Sequence, residues 1–266
     1  MASDQVGQIP GDVSRKFRLD GRTAFITGAG RGIGRSAALA LAYAGAEVWL
    51  AARTQTEIDA AATEINVAGG CAHAVVCDVT DTACVNATIA ALPALDILVN
   101  NAGMNIPQPF VEVSEASLNQ VLNLNIRAMF ITAQAAVKKM LERSDCKQRG
   151  GVIINITSQM GHVGAPTRTV YCLTKHGIEG FTKALAVELA PHNIRVNTLA
   201  PTFIETPMTR PFFQNEAFRT DTLKRIKLGR LGQMEDLTGA IVFLASDAAA
   251  LMTGTSLVVD GGWTAE

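Results

Sequence analysis

The chain is predicted to be an α/β protein: a doubly wound sheet of about seven parallel strands with helices on both faces. Three observations carry this. Short apolar runs alternate with helical runs along the whole 266 residues, the pattern of right-handed βαβ crossovers. The apolar runs are continuous rather than alternating, as in strands covered on both faces. A glycine cluster follows the first of them, where such sheets turn tightly into the first helix. With 48% hydrophobic and 18% charged residues, the chain is suited to one large core.

Residues 1–18 are polar, lack an apolar stretch, and read as a flexible tail; residues 19–266 read as one domain. Thr23–Thr27 is the first strand, followed by Gly28-Ala29-Gly30-Arg31-Gly32-Ile33-Gly34 and an Ala/Leu helix over Ser36–Ala44 that closes at Gly45. Ala46–Ala52 is the second strand. Thr54-Gln55-Thr56-Glu57 matches a capping box for a helix through Val67, stopped by Gly69-Gly70. Ala72–Cys77 is the third strand, then Asp78-Val79 and a helix to Ala91. Leu95–Val99 is the fourth, ending in Asn100-Asn101-Ala102-Gly103, and a long helix spans Ser117–Glu142. Val152–Ile156 is the fifth strand; the helical run Thr174–Ala190 is ended by Pro191, before the sixth strand at Ile194–Leu199. Pro201–Arg230 is an excursion with proline interruptions and mixed aromatics. A helix over Met234–Ser246 and a strand at Ser256–Val259 complete the chain.

Composition narrows the function classes. A net charge of −1 gives no reason to expect nucleic acid as a partner. No run of eighteen apolar residues is present, so no membrane span is expected. The five cysteines, Cys71, Cys77, Cys84, Cys146 and Cys172, are odd in number and form no CxxC pair, which fits a reducing, cytoplasmic setting. No metal site is expected: Cys172 with His176, and His73 with Cys77, lack further ligands at useful spacing.

Chemistry concentrates in two stretches. Gly28, Gly32 and Gly34 occupy the first βα turn, where the backbone must approach a pyrophosphate. The spacing is G-x-x-x-G-x-G rather than G-x-G-x-x-G. The second stretch is Ser158 to Lys175. A strand delivers Ser158, and a helix carries Tyr171 and Lys175 four residues apart, on one face. An ammonium beside a phenol favours the phenolate, so Tyr171 is expected to have a lowered pKa and to transfer protons at a carbon–oxygen centre. Asp78, Asn100 and Ser158 fall at strand C-termini and are expected to converge on one crevice. The second strand ends Ala52-Arg53-Thr54 with no acid to meet a ribose 2′-hydroxyl. Arg53 and Arg31 would instead pair a 2′-phosphate, which favours NADP(H), with NAD(H) as the alternative.

Together these residues resemble the short-chain dehydrogenase/reductase family, in its single-domain form of roughly 250 residues, from about Leu19 to Trp263. The matching elements are Thr27 through Gly34, Asp78-Val79, Asn100 through Gly103, Asn125 within Asn123-Leu124-Asn125, Ser158, Tyr171 with Lys175, and Val259-Asp260-Gly261-Gly262. The resemblance implies a Rossmann-fold NAD(P)-binding catalytic domain over 19–266 that interconverts a secondary alcohol and a ketone or aldehyde. Tyr171 would be the general acid or base, and Ser158 would orient the substrate oxygen. Lys175 would hold the nicotinamide ribose and lower the Tyr171 pKa, and Asn125 would anchor a water in a proton relay. Gly28, Arg31, Gly32, Ile33, Gly34, Arg53, Asp78, Val79, Asn100, Ala102 and Gly103 would bind the cofactor, with Asp78 and Val79 at the adenine and Asn100 at the adenine-side ribose. Pro201, Ile204 and Thr206 would contact the nicotinamide side.

One departure is Thr202, where the family usually has glycine; a β-branched residue disfavours positive φ, so the local backbone is expected to differ. Gln159, His162, Asn105, Met104 and Phe203 are candidate substrate contacts, and Met208, Phe212 and Phe213 a candidate apolar lid. These permit a sugar or polyol, a sugar acid, a 3-oxoacyl thioester or a small cyclic ketone. By analogy the protein is expected to be a homotetramer or a dimer. The other reading is a regulatory protein that binds a dinucleotide without turnover.

Overall fold

A computed structural model of the protein describes residues 12–206 and 209–265. Seven parallel strands form one sheet: β1 (Thr23–Thr27), β2 (Glu47–Ala52), β3 (Cys71–Val76), β4 (Ile97–Asn100), β5 (Gly151–Ile156), β6 (Ile194–Pro201) and β7 (Ser256–Val259). Their order is β3-β2-β1-β4-β5-β6-β7. The chain therefore winds outward from β1 to β3, crosses back, and continues from β4 on the other side. Crossovers at the C-terminal ends of β1 and β4 leave in opposite directions and open a crevice there. This is the Rossmann-like arrangement that the alternating runs predict.

Period-two alternation sends successive strand residues to opposite layers. Ala24 and Ile26 of β1 join one buried layer with helices α1 (Gly32–Tyr43) and α2 (Gln55–Val67), through Leu41, Ile58 and Ile65. Phe25 joins the other, with α3 (Thr82–Ala90), through Val85 and Ile89. The predicted long helix is a run of α4 (Glu115–Leu122), a π-helical segment (Asn123–Ala128) and α5 (Met129–Leu141). A short α6 (Cys146–Arg149) precedes β5, and α7 (Thr169–Leu189) follows it. The excursion after β6 contains a 3-10 turn (Arg210–Gln214) and α8 (Glu216–Arg225), and α9 (Glu235–Ala245) precedes β7.

Three local expectations need correction. Helix α1 starts at Gly32, inside the glycine turn rather than at Ser36, because Gly28 and Gly32 at φ +63° and +58° reverse the chain within a few residues. The capping box is not formed: Thr54 is the N-cap of α2 but its side chain makes no cap bond, and Glu57 pairs with Arg31 at 3.6 Å. Within the expected tail, Val13–Phe17 forms a 3-10 turn; residues 1–11 lie outside the described residues.

The base of the sheet is held by a charge cluster. Asp96, 1% exposed, accepts hydrogen bonds from Arg143 Nη1 at 2.7 Å, Arg149 Nε at 2.6 Å and the Thr23 backbone N–H at 2.9 Å. Arg22 stands 3.6 Å away. Burial pushes the carboxyl pKa up, but the hydrogen bonds from Arg149 and Thr23, with the charges of Arg149 and Arg143, outweigh it and hold the group below the usual range. The resulting stabilisation is present above pH ~4 and lost as pH falls through the lowered pKa. Replacing Asp96 with Asn removes the one carboxylate paired with Arg149 among the described residues and leaves Arg143 and Arg22 only Asp145 and Asp247. It is expected to cost about 3–5 kcal/mol at pH 7 by urea denaturation, with a smaller difference below pH 3.

Candidate active site

The crevice at the C-terminal ends of β1 and β4 encloses roughly 630 Å³, within the range of small-molecule sites. Its floor at one end is the glycine turn. A Cβ on Gly34 would overlap the Gly28 carbonyl oxygen, and one on Gly28 would stand 2.9 Å from Asn101 Nδ2. Only glycine permits this closeness, and it brings backbone N–H groups and the positive end of α1 to face the crevice. Gly28, Arg31, Gly32 and Ile33 line the cavity, whereas Gly34 packs beneath the turn.

Beyond the turn, Arg53, Asp78, Val79, Ala102 and Gly103 also line the crevice, as do Pro201 and Ile204 after β6 and Thr206, whose side chain stands close to Gly32. Asp78 accepts from the Thr80 N–H at 2.9 Å and its hydroxyl at 2.7 Å. The Thr80 N–H outweighs burial and, with the Thr80 hydroxyl and Arg53, holds this carboxyl below its ordinary range. Asp78 is thus both a turn residue and a crevice carboxylate. Thr202 keeps its φ out of the left-handed region, donating its N–H to Val259 O at 3.2 Å. Its buried hydroxyl lines the crevice with no protein partner. A close-approach turn at one end and an orphaned hydroxyl at the other fit a long polar ligand such as a dinucleotide.

Ser158, Tyr171 and Lys175 meet on one wall. Ser158 follows β5 in extended conformation (φ −168°). Its Oγ donates to Gln159 Oε1 at 2.6 Å and accepts from the Met160 N–H at 3.1 Å. Helix α7 begins at Thr169, earlier than the predicted Thr174, so Tyr171 lies in its first turn. Lys175, 4% exposed, donates from Nζ to Ile156 O at 2.9 Å, and its Nζ lies 5.5 Å from the Tyr171 ring centroid. The expected depression of the Tyr171 pKa is not found. Burial pushes the phenol up to about 12, against the pull of the Ser158 hydroxyl. Burial also brings Lys175 down to about 8, only partly offset by Glu179. The ammonium is turned to a carbonyl, and burial outweighs the pairing.

Besides Gly34, two expected contacts lie outside the crevice lining. Asn100 points into the sheet, donating to Asn155 Oδ1 at 3.2 Å and Met129 O at 3.3 Å; its neighbour Asn101 lines the cavity instead. Asn125 is fully buried in the π-helical segment, bonded to the Met104 N–H and O at 2.8 and 2.9 Å and to Thr174 Oγ1 at 3.2 Å. It anchors the loop after β4 against α7.

Among the expected substrate contacts, Gln159, Asn105, Met104, Phe203 and Phe212 line the cavity. His162 turns away to Ser256 Oγ at 3.0 Å. Phe213 packs on Phe203 and Phe218, and Met208 lies outside the described residues. His176 bonds the Cys172 carbonyl, and His73 bonds Glu47 at 2.8 Å with Cys71 3.7 Å away. That partly exposed trio is the one grouping with metal-ligand proximity among the described residues. Sequence reasoning missed Glu179, whose carboxylate accepts from Thr157 and Thr198 behind Lys175. It also missed Arg168, buried in the crevice wall. Glu179's place four residues after Lys175 was the available signal; nothing local marks Arg168.

The family model described as enoyl-(acyl carrier protein) reductase matches residues 28–264. L-xylulose reductase of Bos taurus is 37% identical over 94% of this chain and 99% of its own length. The 3-oxoacyl-(acyl-carrier-protein) reductase FabG of Thermotoga maritima is 38% identical, over 92% and 99% respectively. The crystal structure of a gluconate 5-dehydrogenase from Burkholderia cenocepacia, in complex with NADP and tartrate, superposes with a TM-score of 0.91 at 37% identity, covering 96% of this chain and all of that one.

A lysine whose folded pKa of about 8 lies below its unfolded value near 10.5 destabilises the fold while charged. Between those values the unfolded chain binds more protons, so stability rises with pH across the window. Lys175→Met is therefore expected to raise the unfolding free energy by about 1–3 kcal/mol at pH 7. The gain should shrink toward pH 10.5, measured by urea denaturation at each pH.

Proposed function

The chain belongs to the short-chain dehydrogenase/reductase family, and from that premise we propose how its crevice works. The protein is an oxidoreductase acting on alcohols or ketones with a nicotinamide dinucleotide. The observation that carries the proposal is the convergence of Ser158, Tyr171 and Lys175 on the cavity that also contains the glycine turn. A regulatory protein without turnover would have no need of a buried, destabilising Lys175 beside that phenol.

When bound, the dinucleotide supplies or accepts the hydride; its phosphates would meet the turn at Gly28, Arg31, Gly32 and Ile33. Its nicotinamide side would meet Pro201, Thr202, Ile204 and Thr206. Ser158 releases Gln159 and donates its Oγ hydrogen to the substrate oxygen, fixing the carbonyl plane. Tyr171 gives its proton to that oxygen as the carbon is reduced. In the reverse direction the Tyr171 phenolate takes the alcohol proton. Lys175, tethered to Ile156 O, holds positive charge beneath the phenol and favours the phenolate as it forms. Asn125 holds the Met104 backbone against Thr174, keeping the wall opposite the phenol in register. Because desolvation holds the proton on Tyr171, the enzyme rests near neutral pH in the protonation state that carbonyl reduction uses.

NADP(H) is the preferred form in this reading, since Arg53 lines the crevice where β2 ends in Ala52. Glu57 weakens the preference by engaging Arg31. The substrate is a small polyhydroxylated compound, a sugar, polyol or sugar acid, rather than an acyl thioester. Supporting this, Gln159 is 2% exposed and its amide meets Ser158, and Asn105 lies nearby in the same lining; an acyl chain would leave these groups unpaired. The relatives' names span both classes. Exposed Phe130, Leu173 and Val187 on α5 and α7 support a homotetramer or dimer. No helix among the described residues is long and apolar enough to cross a membrane, and a cytoplasmic location is part of the same proposal.

Tyr171→Phe is expected to lower kcat at least ~1,000-fold while leaving the NADPH dissociation constant within a factor of three; retained turnover would remove Tyr171 from the reaction. In the wild type, kcat/KM for alcohol oxidation should rise with pH from 7 to 10, while ketone reduction loses none of its general acid over that range because the phenol titrates at about 12. Arg53→Ala is expected to weaken NADPH about tenfold or more, a loss of about 1.4 kcal/mol, and NADH less than threefold, by fluorescence titration. Equal loss for both would refute the 2′-phosphate contact.

A further inference from the structure

One buried cation in the crevice has no part in the proposed reaction. Arg168 is 7% exposed, lines the cavity, and precedes Tyr171 by three residues at the start of α7. Its Nη1 donates to Thr167 Oγ1 at 3.0 Å, and its guanidinium covers the Phe212 ring 5.3 Å from the centroid. Among the described residues no carboxylate comes within ion-pair distance of it. Elsewhere the chain pairs its arginines readily: Arg143 and Arg149 with Asp96, and Arg230 with Asp236.

An arginine remains charged in proteins, and a buried charge is costly unless it is paired. The contact with Phe212 offsets only part of that cost, and one neutral hydrogen bond leaves most of the five guanidinium N–H donors without a protein acceptor. Arg168 is the N-cap residue of α7 and Tyr171 lies in the first turn, and both line the same cavity, so one bound molecule can meet both the guanidinium and the phenol. The glycine turn, where the dinucleotide phosphates would sit, is at the other end of the crevice.

We propose that Arg168 determines substrate specificity by binding an anionic group, a carboxylate or a phosphate, a few bonds from the reacting carbon. Its planar fork suits either anion bidentately. The proposal rests on the reading of the crevice as an alcohol–carbonyl site and narrows its substrate to hydroxy or oxo compounds that carry an anion. Neutral polyols bind the same wall without filling the guanidinium.

The test is calorimetric binding to the NADPH-loaded protein, using D-gluconate, its neutral counterpart glucitol, and inorganic phosphate. Gluconate is expected to bind at least tenfold tighter than glucitol. Arg168→Met should lose at least thirtyfold in gluconate affinity, Arg168→Lys should recover part of it, and NADPH affinity should stay within threefold in both. Phosphate binding that depends on Arg168 while gluconate fails would support the anion site and identify a phosphorylated substrate. Equal binding of gluconate and glucitol, no Arg168-dependent anion binding, or an equal loss of NADPH affinity in Arg168→Met would overturn the proposal. Turnover retained by Tyr171→Phe would refute the proposed reaction while leaving this binding result unchanged.

Discussion

The hydrogen bond from Lys175 Nζ to Ile156 O is the contact on which the site depends. It joins the buried face of α7 to the C-terminal end of β5 and so sets where the first turn of that helix, with Tyr171, meets the crevice. An ammonium held this deep is expensive, and the strand carbonyl and Glu179 behind it meet part of the cost. In the proposed reaction the arrangement trades stability for a proton-transfer centre, as functional sites commonly do. The rest of the fold makes the trade tolerable: two apolar layers enclose the sheet, and the Asp96 cluster secures its opposite end.

The crevice follows from winding order rather than from any one residue. With β1 between β2 and β4, crossovers depart in opposite directions and leave strand ends uncovered, so glycine turn, Asp78, Ala102 and Ser158 are gathered without long loops. Chemistry divides along the cavity's length. Backbone donors at the glycine turn suit phosphates, and the wall built by β5 and α7 suits a carbon–oxygen bond. The buried, carboxylate-free guanidinium of Arg168 adds a third zone next to the phenol.

What was legible in the sequence was local. The glycine turn, the alternating runs and the four-residue spacing of Tyr171 and Lys175 are short-range patterns with direct geometric meaning, and the fold they predict is the fold observed. Errors arose where a non-local partner decided. Asn100 and Asn101 are adjacent at a strand end, and only the cross-strand partner Asn155 fixes which faces inward. Glu57 matches a capping box but meets Arg31 across the turn. The Tyr171 pKa was inferred from a neighbouring charge, whereas burial, which sequence does not display, dominates. Arg168 carries no motif; its burial without a carboxylate is visible only in three dimensions.

In the proposed site the protein keeps the proton on a half-buried Tyr171 beside a charged Lys175. The chain has two tyrosines, and Tyr43 is 61% exposed, so a Tyr43→Phe protein isolates the phenol of interest. Its ultraviolet phenolate titration is predicted to show a midpoint well above 10; a midpoint at 10 or below would contradict the account.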